Sequence, residues 1–149
     1  MSPLAAILAA ALLTVEPFRV IDGDTIASGE HRIRLEGIDA PEIGQECQRS
    51  SGAEFECGHR AAAVLRSLLR RGPVVCDFDG LDRYGREIAH CRAGRVDLNR
   101  EMVRLGWAMA FTRYSNEFAA DEAEARAAGR GLWAGRFTPP WEWRATQSK

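Results

Sequence analysis

The stretch that decides the fold is Asp22-Gly23-Asp24-Thr25, followed six residues later by Arg32-Ile33-Arg34-Leu35-Glu36-Gly37-Ile38-Asp39-Ala40-Pro41-Glu42. Asp-Gly is turn chemistry, and it lies between Phe18 to Ile21 and Thr25 to Ala27, so it predicts two short strands joined tightly. Arg32 to Glu36 then alternates. Ile33 and Leu35 point to one side, and Arg32, Arg34 and Glu36 to the other, as in a strand with one face on a core. Pro41 disfavours helix at Ala40 and removes a donor, so the chain leaves the sheet at a second acidic turn, Asp39 to Glu42.

Beyond this stretch the period changes. Ala61, Val64, Leu65, Leu68 and Leu69 recur at helical spacing, with Arg66, Arg70 and Arg71 opposite or near the end, and Gly72-Pro73 stops the helix. Val74 to Phe78 and Tyr84 to Arg92 read as a hairpin turning through Asp79 to Asp82. Leu98, Met102 and Leu105 mark a second helix ending at Gly106, and Glu117 to Ala128 a third, closed by Gly129 and Gly131. Trp133 to Arg144, aromatic and proline-bearing, is expected to cross the surface as an irregular strap. Five short strands and three helices in this order predict an α+β domain, a small barrel with helices between and after its strands.

A chain of 149 residues is sized for one domain with a real core. Its net charge of −1 excludes a protein that coats nucleic acid through bulk basicity. Any such contact would be local, built from a few arginines and weakened by salt. Leu4 to Leu13 is an unbroken run of Leu, Ala and Ile, too short to span a bilayer and matching the apolar part of a secretory signal peptide, although the basic n-region is missing. Residues 1–14 are therefore read as signal-like, 16–144 as the domain and 145–149 as a polar tail. An N-terminal helix without a structural role is the alternative for the first segment.

Cys47, Cys57, Cys76 and Cys91 contain no Cys-x-x-Cys pair, so zinc is not expected despite His59 and His90. The hairpin places Cys76 beside Cys91, and Cys47 and Cys57 bracket a polar loop. Two disulfides, 47–57 and 76–91, in an oxidising compartment are expected, against four buried thiols in a reducing one. Together with the apolar N-terminus they point to an exported protein. Nothing in the chain calls for a stable membrane partner or for more than a monomer.

Asp24 and Asp39 are the candidate metal ligands, since hard divalent cations take carboxylate and carbonyl oxygens, and the Ala40 carbonyl could add another. Asp22 and Thr25 would stand behind them. Taken alone, Asp-Gly-Asp is more often just a turn. Glu42 is the candidate general base, and alone would be a solvated loop residue. Arg34 and Arg86 are candidates for a phosphate clamp, because a guanidinium fork matches two phosphate oxygens. Arg86 closes Asp82-Arg83-Tyr84-Gly85-Arg86. Tyr84 and Tyr114 suit base stacking or packing at a rim. Carboxylates for a metal beside arginines for a phosphate are the requirements of phosphodiester hydrolysis.

Four motifs in order, Ile21 to Thr25, Arg34 to Glu42, Asp82 to Arg86 and Asn99-x-x-Met-Val-x-x-Gly-Trp-Ala108, resemble the staphylococcal nuclease (thermonuclease) family from about Phe18 to Trp133. The resemblance implies an OB-fold five-stranded barrel with three helices and calcium-dependent cleavage of DNA and RNA. By motif, Asp24, Asp39 and the Ala40 carbonyl match calcium ligands. Arg34, Glu42 and Arg86 match the catalytic set, and Arg83, Tyr84 and Tyr114 match positions lining the nucleotide pocket. Ala40 stands where the archetype has threonine, Thr112 where it has a second pocket tyrosine, and the cysteines and the scarcity of lysine also depart from it. The implied function is a calcium-dependent nuclease of low sequence specificity. The alternatives are a non-catalytic OB-fold module binding nucleic acid or protein, and an exported calcium-binding or structural domain.

Overall fold

The structure, a computed structural model, describes residues 17–112 and 116–147. The first strands are β1 (Arg19–Asp22), β2 (Thr25–Ser28), β3 (His31–Leu35) and β4 (Ile38–Asp39), followed by the short pair β5 (Cys47–Gln48) and β6 (Glu54–Phe55). Next come α1 (Cys57–Leu69), the long hairpin β7 (Val74–Leu81) and β8 (Glu87–Ala93), then β9 (Val96–Asp97) and α2 (Leu98–Arg104). The chain continues through β10 (Met109–Ala110), α3 (Ala119–Ala128), a 3-10 turn at Gly131–Ala134 and α4 (Pro140–Gln147).

The main sheet runs β1-β2-β3-β8-β7, with β9 on β8, and curls into a half-barrel. Neighbours are antiparallel except β3 and β8, which run parallel because α1 and the returning β7 intervene. β10 pairs antiparallel with β4 in a separate two-stranded sheet. This is the OB-fold. The alternation expected in β3 holds: Ile33 and Leu35 are buried while Arg32 is exposed. Ile26, Leu35 and Ala89 from the sheet meet Leu65 and Leu68 of α1 and Leu98 and Met102 of α2 in one core. Asn99, fully buried at the start of α2, accepts from the Cys91 amide (3.0 Å) and donates to the Glu36 and Ala89 carbonyls (2.9 and 3.1 Å). It thereby ties α2 to β8 and to the end of β3.

Both disulfides are present as expected. Cys47–Cys57 joins the loop after Glu42 to the first turn of α1, and Cys76–Cys91 links directly opposed residues of β7 and β8. Among the described residues no helix is long and apolar enough to cross a membrane. The signal-like segment 1–14 lies outside the described residues.

Two elements differ from expectation. The hairpin turns at Asp82 to Arg86 rather than Asp79 to Asp82, because the Asp82 carboxylate accepts from the amides of Tyr84 and Arg86 (both 2.9 Å) and holds that turn itself. The strap is also not wholly irregular. Pro140 opens α4, where a proline's fixed φ and missing donor suit the first turn, so Trp141 to Gln147 are helical. Residues 148 and 149 lie outside the described residues.

Candidate active site

Pairing of Thr25 with Arg34 across β2 and β3 sets the Arg34 side chain beside the Asp22–Thr25 turn. Gly23 makes room for that turn. A Cβ there would lie 2.7 Å from the Cβ of Ala40 and 2.8 Å from that of Ala61, so only glycine lets the turn close against both α1 and the Asp39-Ala40 segment. Asp24 and Asp39 arrive at the same place almost fully buried, at 4 % and 1 % exposure. The Asp24 carboxylate accepts from the Thr25 hydroxyl (3.0 Å) and the Ala40 amide (2.8 Å). Arg34 Nη2 stands 3.5 Å from Asp24 Oδ2 and 3.8 Å from Asp39 Oδ1. The same guanidinium donates to the carbonyls of Leu35 (2.8 Å) and Ile38 (2.7 Å), so the backbone turn around Gly37 holds it in place.

Glu42 follows Pro41 at the edge of this cluster. Its amide donates to Gln45 Oε1 (3.3 Å), and its carbonyl lies so close to α1 that a Cβ on Gly58 would sit 1.8 Å from it. Gln45 is fully buried and also donates to the Thr138 carbonyl (2.8 Å), tying the Glu42 loop to the segment that leads into α4. From α4, Arg144 reaches back with two nitrogens onto the Asp39 carboxylate, at 3.0 and 2.7 Å, and with Nη1 onto Glu42 Oε1 at 2.6 Å. Asp39 and Glu42 therefore meet on one nitrogen of Arg144.

Arg86 lies on the hairpin, its Nε donating to Asp82 Oδ2 at 2.6 Å and its guanidinium 5.5 Å from the Tyr84 ring centre. Arg86 directly precedes Glu87, which pairs with Ile33 across β8 and β3 and meets His31 at 3.2 Å. Arg83 stacks on Tyr84 at 5.0 Å, and Tyr84 stands 70 % exposed near the hairpin tip. Tyr114 lies outside the described residues. The fold thus brings Asp22, Asp24, Thr25, Arg34, Asp39, Ala40 and Glu42 together. Arg86, Arg83 and Tyr84 group with one another in the turn between β7 and β8.

Crowding of acids unbalances their protons. Asp22 is pushed up to about 8, by burial first and then by the adjacent Asp24 charge. Burial works against ionised Asp24 too, but the Arg34 charge and the hydrogen bonds from Asp22, Ala40 and Thr25 outweigh it and hold its carboxyl below the usual range. The two acids therefore share one proton, carried by Asp22. Burial raises Asp39, partly offset by Arg144 and Arg34. Its two-point acceptance from Arg144 nonetheless requires the ionised form, since a protonated carboxyl would set donor against donor. Arg144 in turn is held more firmly protonated by Asp39.

Two members of the cluster, Gln45 and Arg144, were not anticipated from the sequence. Gln45 sits three residues after Glu42 in a stretch that reads as polar loop. Arg144 lies in the segment expected to be an irregular strap, and no local pattern marks it.

The staphylococcal nuclease homologue family matches residues 32–135, which takes in Arg34, Asp39, Glu42 and Arg86. The chain is 37 % identical over 142 residues to the succinoglycan biosynthesis protein ExoI of Rhizobium meliloti strain 1021, covering 87 % of this chain and 74 % of that one. It is 35 % identical over 134 residues to an uncharacterized endonuclease of Escherichia coli O157:H7 (85 % and 81 % covered). It is 34 % identical over 127 residues to the probable staphylococcal-like nuclease CAN2 of Oryza sativa subsp. japonica, where 83 % of this chain spans 32 % of the rice protein. With its motifs, its OB-fold and these matches, the chain belongs to the staphylococcal nuclease homologue family.

Proposed function

We propose that the protein is an exported, calcium-dependent nuclease that hydrolyses phosphodiester bonds of DNA and/or RNA with little sequence specificity. The observation that carries this reading is the placement of one guanidinium, that of Arg34, between two buried carboxylates, Asp24 and Asp39, with Glu42 at the rim. Burying ionised groups costs several kcal/mol per ion unless each is paired, which a purely structural module has no need to incur here.

The donor set suits a hard cation. Its oxygens are carboxylates with a backbone carbonyl beside them, and the Arg144 guanidinium seated on Asp39 and Glu42 supports a pocket that attracts positive charge. Among the described residues no three acidic, histidine or cysteine side chains close on a single point. The ion would thus be held by Asp24, Asp39 and the Ala40 carbonyl with water completing its shell, a looseness that calcium tolerates. The chemistry calcium supplies when bound is polarisation of a phosphoryl oxygen and of the attacking water.

The chain's own groups supply the rest. Arg34 and Arg86 hold the phosphate and stay charged as negative charge builds in the transition state. Glu42 accepts the proton of the attacking water, which requires its carboxylate free of Arg144. Asp22 and Thr25 orient the Asp24 turn, and Arg83, Tyr84 and Tyr114 receive the nucleotide. The two disulfides suit an oxidising compartment outside the cytosol.

Incubation of the oxidised protein with single-stranded DNA or RNA, in calcium or in chelator, tests the proposal. Degradation is expected only with calcium. Binding without turnover would favour the non-catalytic module, and equal turnover in chelator would reject the metal assignment.

A further inference from the structure

We propose that Arg144 is a built-in competitor of the cation and thereby sets the cation concentration at which the site works. The inference rests on the reading of Asp39 as a cation ligand and adds a positioning residue that acts through it.

Three observations converge. Arg144 takes both oxygens of Asp39 at 3.0 and 2.7 Å and adds Glu42 at 2.6 Å, so one guanidinium occupies the carboxylate intended for the ion and the carboxylate intended for the proton. A divalent ion on Asp39 competes with that fork, because the guanidinium has taken one lone pair on each oxygen and two positive charges on one carboxylate repel. Second, the competitor can leave. The Arg144 side chain is 42 % exposed, against 1 % for Asp39, and it forms one wall of an open cleft of about 330 Å³ lined also by Glu42, Ile43, Trp143 and Gln147. Third, the helix that carries it is anchored elsewhere. Pro140 is buried, Trp141 packs on Phe111 at 6.2 Å, and Gln45 binds the Thr138 carbonyl just upstream. The guanidinium can therefore swing out while the base of α4 stays seated.

Two consequences follow. Without a cation, Arg144 neutralises Asp39 and blocks Glu42, so the acids are kept paired and the base idle. With a cation on Asp39, Arg144 loses its two-point anchor and swings out to solvent, and its departure from Glu42 frees the base. Apparent cation affinity is then reduced by the fraction of molecules in which the arginine is seated.

Calcium titration by calorimetry of the oxidised wild type, Arg144→Ala, Arg144→Lys and Asp39→Asn provides the test, with hydrogen exchange of residues 140–147 as a second readout. Arg144→Ala should bind calcium about tenfold more tightly, since loss of a pairing of this kind changes an equilibrium by about that factor. Arg144→Lys keeps the charge but loses the fork, and should gain less. It also serves if the alanine variant is too unstable to titrate. In the wild type, calcium should speed exchange in the last turn of α4. Unchanged or weaker affinity in both Arg144 variants, with binding lost in Asp39→Asn, overturns the competitor and leaves the cation site standing. Calcium binding unaffected by Asp39→Asn rejects the cation site, and the competitor with it.

Discussion

One guanidinium, that of Arg34, reaches two backbone carbonyls at 2.8 and 2.7 Å and stands within 4 Å of two buried carboxylates. Its removal has two separable costs. Arg34→Ala should lower turnover by about a hundred- to a thousandfold, the range for losing one transition-state donor. It should also destabilise the fold by about 3–5 kcal/mol, because Asp24 is left charged and unpaired in the interior. Arg86→Ala should match the first loss without the second, since its partner Asp82 belongs to a turn whose backbone bonds persist. Steady-state kinetics and urea denaturation of the two variants check this split. Asp22 supplies a pH signature. Its carboxyl is raised from 3.8 to about 8, so across that window the metal-free folded protein keeps a proton that the unfolded chain has released. Stability should therefore fall as pH rises from 3.8 to about 8, and Asp22→Asn should flatten the slope in denaturation series run in chelator. Depression of Asp24 acts the other way, but only as pH drops below its ordinary range, outside this window.

At the scale of elements, local chemistry foretold the strands better than the ends of the chain. β1 to β3 follow from turn residues and two-residue alternation within a short span, and each registers against its neighbour without help from distant residues. The hairpin turn slipped by a few positions because Asp79 to Asp82 and Asp82 to Arg86 both carry turn chemistry, and only the second lets one carboxylate bind two amides. Helix α1 begins at Cys57, ahead of its apolar period, because the Cys47–Cys57 bridge and the contact of Gly58 with the Glu42 carbonyl fix its first turn. The two disulfides close separations of 10 and 15 residues. Reduction should cost about 3 kcal/mol per bridge by the loop-entropy relation. Denaturation with and without reductant, set against the single Cys76→Ser/Cys91→Ser double variant, measures each share. The 47–57 bridge should matter more for turnover, since it braces the loop that carries Glu42.

Across the whole molecule, acids from the β1–β2 turn, the end of β4 and the loop before α1 face arginines from β3 and α4, and the cluster carries more negative than positive groups. Calcium should therefore stabilise the native state, by about 2.7 kcal/mol at a hundred times its dissociation constant. Thermal unfolding with calcium or chelator tests this, and Asp39→Asn should abolish the shift. The sequence alone carried the turn and alternation of β1 to β3, and it led to the expectation of two disulfides and of Asp24, Arg34, Asp39 and Glu42 as one set. These depend on turn chemistry, on alternation and on motifs whose members lie within about twenty residues. Only the tertiary structure decided that Gln45 is buried beneath the Glu42 loop, that Pro140 begins a helix, and that Arg144 closes onto carboxylates 105 and 102 positions away. An arginine in a polar helix has no local signature for its partner. Where it lands is set by how the C-terminal helix packs, a long-range outcome that neither periodicity nor spacing encodes.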